Sequence, residues 1–127
     1  MEKRMRAVWI VDDDDEMSHA VKLMLQLLDS TVEIFRNARS AAKRLLAGEQ
    51  PDLIVLDINM PEVSGIDFLE FLRMRDGLKE IPVVMLSSET TDIQVDEAMR
   101  IGANAFVFKP VTLEELEEAI LIALPKP

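Results

Sequence analysis

Four consecutive aspartates, Asp12-Asp13-Asp14-Asp15, follow directly on an apolar run, and a fifth, Asp57, closes another. Ser87-Ser88 close a third run and Lys109-Pro110 a fourth. Taken singly, each has an ordinary explanation. Aspartates gather in solvated turns and at helix N-termini, where the dipole favours them, and a lone serine or lysine is a turn or surface residue. Together they stand at the same kind of place, the end of a short apolar segment. If those segments lie side by side in one sheet, about 5 Å apart, several carboxylates converge. Like charges that close repel unless a cation bridges them or a proton is retained. Oxygen ligands without sulfur favour Mg²⁺, which keeps waters and leaves positions open for a phosphoryl oxygen. A carboxylate beside such an ion can attack phosphorus and form an aspartyl phosphate. Mg²⁺ and Lys109 would neutralise charge, and Ser87 can donate a hydrogen bond to the new phosphoryl group.

The chain must bring those ends together, and its pattern alternates in a way that does so. Ala7 to Val11 is short and wholly apolar, the mark of a strand covered on both faces. From Asp15 to Leu28 the period changes to that of a helix, with Met17, Val21, Met24, Leu25 and Leu28 on one face. Thr31 to Phe35 reads as a strand and Asn37 to Ala47 as a helix, with Ala41, Ala42, Leu45 and Leu46 inward and Gly48 as its stop. The pattern recurs three times. The strands are Leu53 to Leu56, Ile81 to Leu86 and Ala105 to Phe108; the helices are Ile66 to Met74, Thr91 to Ile101 and one capped by Thr112. Phe68, Leu69, Phe71 and Leu72 are the burial candidates of the third helix. Glu115 occupies the capping-box position of the fifth, whose inner face is Leu113, Leu116, Ile120 and Leu124. Five βα units predict an α/β, flavodoxin-like (βα)5 three-layer sandwich, a parallel sheet of order 2-1-3-4-5 with helices on both faces. Ligands in such sheets bind outside the carboxyl ends of the strands, at the switch point beside strand 1.

Composition narrows the function classes. The 127 residues suit one domain, and 49% hydrophobic content can build a core. A net charge of -10 repels nucleic-acid phosphates, so direct nucleic-acid binding is not expected, whereas metal cations and basic partner surfaces are attracted. With no cysteine there is no disulfide, thiolate metal site or cysteine nucleophile. The apolar run after the basic start is too short for a secretory h-region of roughly 7–15 residues or a membrane span of about 20. The expectation is a cytoplasmic protein without a membrane association.

These residues resemble a known family. Val11-Asp12-Asp13, Asp57-Ile58-Asn59-Met60-Pro61 with Gly65, Met85-Leu86-Ser87-Ser88 and Phe108-Lys109-Pro110 are similar to the receiver domains of two-component response regulators. The resemblance runs from the first strand to the fifth helix. It implies Asp57 as phosphoacceptor, charged by a histidine kinase or a phosphotransfer protein. It implies Asp13 as a direct Mg²⁺ ligand, Asp12 as a ligand through water, and Asp57 and the Asn59 backbone carbonyl as further ligands. Lys109 would pair with the phosphoryl oxygens, and its bond to Pro110 would be cis. Ser87 would swing towards the phosphoryl group and let the Phe106 ring turn inward, altering the surface of the fourth helix, fifth strand and fifth helix. Such a domain catalyses only its own phosphorylation and slow dephosphorylation. Ser87 and Phe106 stand where the family often has threonine and tyrosine, Ser88 where alanine is frequent, and Glu62 and Ser64 at loop positions often glycine and aspartate.

Other readings are weighed on the same residues. A metal-dependent phosphohydrolase with an aspartate nucleophile would carry it after strand 1 as Asp-x-Asp-x-Thr or Val, whereas the solitary acid here follows the third strand. A flavin carrier needs a phosphate cradle where Asp12 to Asp15 stand. A pseudo-receiver, an interaction module never phosphorylated, is opposed by the intact Asp12, Asp13, Asp57, Ser87 and Lys109 set. His19 is expected at the surface and Trp9 in the core. Glu114, Glu115, Glu117 and Glu118 form an acidic helix face, solvated or docking a basic partner; Glu89 is a candidate for tuning phosphoryl lifetime, and Met99 for a contact. After the last helix come only Pro125-Lys126-Pro127. The expectation is one receiver domain over 1–127, either stand-alone or the N-terminal part of a longer regulator, with its output partner unspecified and a homodimer on phosphorylation possible.

Overall fold

The computed structural model describes residues 5–88 and 92–125. Strands and helices alternate without exception: β1 (Arg6–Val11), α1 (Asp15–Leu27), β2 (Ser30–Phe35), α2 (Ala38–Leu46), β3 (Leu53–Asp57), α3 (Gly65–Arg73), β4 (Val83–Ser87), α4 (Asp92–Ile101), β5 (Ala105–Phe108) and α5 (Leu113–Ala123). The five strands form one sheet of order β2-β1-β3-β4-β5, parallel at every pairing. This is the flavodoxin-like arrangement expected from the alternation.

Side chains of successive strand residues point to opposite faces, so each strand feeds two cores. On one face Trp9, Val11, Ile54, Leu56, Val83 and Met85 pack under Ala41 and Leu45 of α2, Phe68, Leu69 and Leu72 of α3, and Ala98 of α4. On the other, Val8, Ile10, Leu53, Val55, Val84 and Leu86 pack under Val21 and Leu25 of α1 and Leu116, Ala119, Ile120 and Ala123 of α5. The central strands β3 and β4 are buried along their whole length, which is why their sequences read as unbroken apolar runs.

Among the described residues, side-chain caps fix the starts of α1, α2, α3 and α5. Asp14, Asn37, Ser64 and Thr112 each accept a hydrogen bond from the backbone N–H three residues on, satisfying donors that the first turn leaves open. At Thr112 the expected reciprocal bond is altered, because the Glu115 carboxylate accepts from the Thr112 hydroxyl at 2.9 Å.

Several sequence expectations shift. Strand β4 starts at Val83, not Ile81, and includes Ser87; Ile81 is buried ahead of it. Leu46 is 59% exposed, because the buried row of α2 is Ala38, Ala41 and Leu45 and the next residue lies a further 100° around the helix. Leu113 likewise faces outward, and Ala119 and Ala123 complete the inner face of α5. Phe71 is only partly buried, with the Arg75 guanidinium 4.8 Å above its ring. Met17, Met24, Leu28 and Leu124 pack at the margin of their core. The expected first helical residue Thr91 lies outside the described residues, as does Glu89.

Candidate functional site

The carboxyl ends of β1, β3, β4 and β5 meet at one edge of the sheet, and their backbones are tied there. The amide of Asp12 donates to the Phe35 carbonyl, that of Ile58 to Leu86, and that of Lys109 to Ser87. Three parallel-strand registers thus extend one step past the strands and set where the side chains emerge.

The run of four aspartates divides its labour. Asp12 is fully buried; its Oδ1 accepts from the Asp14 amide at 3.0 Å, which turns the chain into α1. Asp14 caps the helix through its own carboxylate. Asp15 reaches outward to Arg36 at 3.1 Å, an exposed pair of little energetic weight. That leaves Asp13 to face the sheet edge. One carboxylate oxygen each from Asp12, Asp13 and Asp57 lie within 4.8 Å of one another.

Lys109 closes this cluster. Its Nζ lies 3.2 Å from Asp57 Oδ1 and 3.3 Å from Asp12 Oδ2. The Asp12 Oδ2 contact is within ion-pair range but lacks hydrogen-bond geometry, so that buried oxygen accepts no hydrogen bond among the described residues. Burial pushes the Asp57 carboxyl up from an ordinary 3.8 to about 6, and the Asp12 charge adds to the rise. Lys109 and the Asn59 backbone N–H work against it. Burial lowers Lys109 in turn, but Asp57 and Asp12 outweigh it and hold the ammonium above its ordinary value. Among the described residues, one ammonium stands against the cluster of three carboxylates. The deficit of positive charge, the hard oxygen donors and an under-satisfied buried Asp12 oxygen together fit a divalent cation such as Mg²⁺.

Gly65 explains the close approach of α3 to this edge. A Cβ there would lie 2.0 Å from the Asp57 carbonyl oxygen and 2.8 Å from the Ile58 Cα, while the Gly65 amide donates to the Ile58 carbonyl at 2.8 Å. The glycine lets the helix start press on the backbone that presents Asp57 and Asn59.

Each residue singled out from the sequence can now be placed. Asp12, Asp13, Asp57 and Lys109 are brought together. Ser87 is fully buried at the end of β4, one residue past the Leu86 that pairs in register with Asp57, and itself pairs with Phe108. Asn59 is exposed two residues beyond Asp57. The Lys109–Pro110 bond is cis. Phe106 is 40% exposed, its ring turned out of the core and edge-on to Phe108 at 5.2 Å. His19 is exposed, as are Glu114, Glu115, Glu117 and Glu118, and Trp9 is buried.

The sequence reading missed Ser18. It is buried on α1, and its hydroxyl donates to the Asp12 carbonyl at 3.4 Å, a long contact that steadies the turn after β1. Its signal was present in the spacing, since Ser18, Val21 and Leu25 form the buried row of α1.

Comparison with known proteins agrees with this geometry. The family model for the response regulator receiver domain matches residues 8–121. The chain is 35% identical over 113 residues to the chemotaxis protein CheY of Pseudomonas aeruginosa, covering 89% of this chain and 91% of that protein. It is 34% identical over 125 residues to the chemotaxis protein CheY-3 of Vibrio cholerae, covering 94% and 92%. The solved chemotaxis response regulator CheY4 of Vibrio cholerae superposes with a TM-score of 0.85 at 30% identity, over 95% of this chain and 100% of that one. With the strand order, the acidic strand ends and the lysine after β5 already in place, these matches settle the family: the chain belongs to the response regulator receiver domains of two-component signalling.

Proposed function

We propose that the protein accepts a phosphoryl group on Asp57, in a Mg²⁺-dependent reaction, from a histidine kinase or a phosphotransfer protein. The observation that carries this reading is the buried Asp57 carboxylate 3.2 Å from Lys109 Nζ, with Asp12 and Asp13 converging on it. Asp57 is the nucleophile: its oxygen forms a bond to phosphorus as the donor's bond to phosphorus breaks, and the donor group leaves with the electron pair. Lys109 holds positive charge where the transferring oxygens gain negative charge. Ser87, buried at the adjacent strand end, offers a hydroxyl to the phosphoryl oxygens. Asp12, Asp13, Asp57 and the Asn59 carbonyl would hold Mg²⁺, which supplies charge neutralisation and alignment when bound.

The reading extends to the switch. Phosphorylation draws the Ser87 hydroxyl towards the phosphoryl group, vacating space that the outward Phe106 ring then fills, and this changes the α4–β5–α5 surface offered to an output partner. A homodimer through that surface on phosphorylation belongs to the same proposal, and sedimentation with and without a phosphoryl analogue tests it. The unit is one receiver domain over 1–127, cytoplasmic in location; among the described residues no helix is long and apolar enough to cross a membrane.

The test is incubation with acetyl phosphate and Mg²⁺, read by intact mass. A single phosphoryl adduct, absent in Asp57→Asn and with a chelator, supports the reading. Absence of any adduct from acetyl phosphate and from candidate kinases, on folded protein, favours a pseudo-receiver.

A further inference from the structure

Helix α3 ends in Arg73, and this side chain does not go to solvent. Its Nε donates to the Gly102 carbonyl at 2.9 Å and its Nη2 to Asn104 Oδ1 at 3.0 Å. Gly102 and Asn104 follow α4 directly and lead into β5. The same Asn104 oxygen also accepts from the Val83 amide at 2.8 Å, and the Asn104 amide donates to the Val83 carbonyl at 2.9 Å. Arg73 therefore joins three elements at one point: the end of α3, the exit of α4 and the start of β4.

Gly102 makes room for this. A Cβ there would sit 3.0 to 3.3 Å from the Arg73 Nε, Cδ and Cγ atoms, and its φ of +129° is one that side chains rarely adopt. The guanidinium is paired on two nitrogens, while Nη1 is buried with no hydrogen-bond partner among the described residues. Burial holds Arg73 below its ordinary pKa, and Glu80 opposes this. A half-buried cation kept in place despite that cost is held by the contacts it makes.

What it holds is a lightly anchored helix. Among the described residues α4 buries only Val95 and Ala98, and Ile93 is 78% exposed. Its apolar attachment is narrower than that of α3, which buries Phe68, Leu69 and Leu72. The two ends of α4 also differ in what they join. The N-terminal end begins five residues after Ser87, and the C-terminal end meets Arg73. A ten-residue helix separates those ends by about 15 Å.

We propose that Arg73 is a positioning residue that pins the C-terminal end of α4. A change begun at Ser87 then displaces the N-terminal end of α4, and the helix pivots about Gly102 rather than sliding as a body. The change at Ser87 rests on the phosphoacceptor reading above; the pin itself exists in the unphosphorylated protein. Phosphoryl transfer to Asp57 does not involve Arg73, so chemistry and propagation separate in a variant that lacks it.

Amide hydrogen exchange read by mass spectrometry on the parent, Arg73→Met and Arg73→Lys tests this, each with and without Mg²⁺ and beryllium fluoride, a phosphoryl analogue. Arg73→Met keeps the stem and loses both hydrogen bonds. Its exchange over residues 98–104 rises on the order of tenfold or more before any analogue is added, while residues 6–11 of β1 keep parent protection. Arg73→Lys, with the charge but not the fork, falls between. The acetyl phosphate adduct forms at the parent rate in both. With the analogue, exchange in the parent changes over residues 92–97 and not over 98–104; in Arg73→Met both segments change. Unchanged exchange over 98–104 in Arg73→Met overturns the pin, as does a uniform rise across the whole protein. So does a parent that changes equally at both ends of α4 with the analogue. If Arg73→Met does not fold, Arg73→Lys against the parent decides by the same criteria. If the parent takes up neither the analogue nor the phosphoryl adduct, the phosphoacceptor reading fails, and the analogue-free comparison still decides the pin.

Discussion

Asp57 is expected to weaken the metal-free fold, and Asp57→Asn to strengthen it. The carboxyl is 3% exposed, and its burial lifts it from 3.8 to about 6. A folded-state pKa raised above the unfolded one means that the protonated form is the one the fold tolerates. Stability is then fully present below 3.8 and is lost as pH rises through 6. Linkage puts the penalty on the order of 1–2 kcal/mol at pH 5 and about 3 kcal/mol at pH 7.5, where it levels off. Asparagine has the same shape and no charge, and Lys109 keeps Asp12 as a partner. Urea denaturation with a chelator, followed by fluorescence of the buried Trp9, measures the effect. The variant gains roughly 2–3 kcal/mol at pH 7.5 and about half that at pH 5. Mg²⁺ stabilises the parent by binding the folded state alone, and does so less in the variant. A variant no more stable than the parent at pH 7.5, or a gain independent of pH, refutes the electrostatic reasoning.

Three further outcomes follow from single contacts. Lys109→Met leaves two buried carboxylates without their ammonium; phosphoryl transfer from acetyl phosphate slows by about 10²-fold, measured as adduct formation over time. Gly65→Ala drives a methyl into the Asp57 backbone, costs about 3 kcal/mol in urea denaturation, and weakens Mg²⁺ binding in titration because Asp57 and Asn59 must shift. Glu62 holds a φ of 68° in the loop after β3, so Glu62→Gly raises stability by about 1 kcal/mol; an unchanged or lower denaturation midpoint counts against strain there.

The sheet was legible because burial on both faces erases polar residues from β3 and β4, and such runs followed by helical periods have few topologies open to them. The convergence of Asp12, Asp13, Asp57 and Lys109 was legible for the same reason, since each ends a strand. Which aspartate of the run does what was decided by backbone geometry: Asp14 was taken by the helix cap and Asp15 by Arg36, and neither fate is written in a row of identical residues. Leu46 and Leu113 were misplaced because a leucine one step outside the buried row carries the same apolar label as one inside it. Ser18 was missed although its spacing with Val21 and Leu25 put it on the buried row of α1, because a serine carries no apolar label. Arg73 was missed because its partners, a backbone carbonyl and an asparagine, are brought close only by the fold, 29 and 31 residues away.

The central claim is that Asp57 takes the phosphoryl group, and trapping with borohydride after reaction with acetyl phosphate and Mg²⁺ tests it most directly. Borohydride reduces an acyl phosphate on aspartate to the alcohol, and peptide sequencing by mass spectrometry then locates it. The prediction is reduction at position 57 alone, dependent on Mg²⁺ and absent without acetyl phosphate. Reduction at Asp12 or Asp13 instead, or a phosphoryl adduct that borohydride does not convert, would contradict the account.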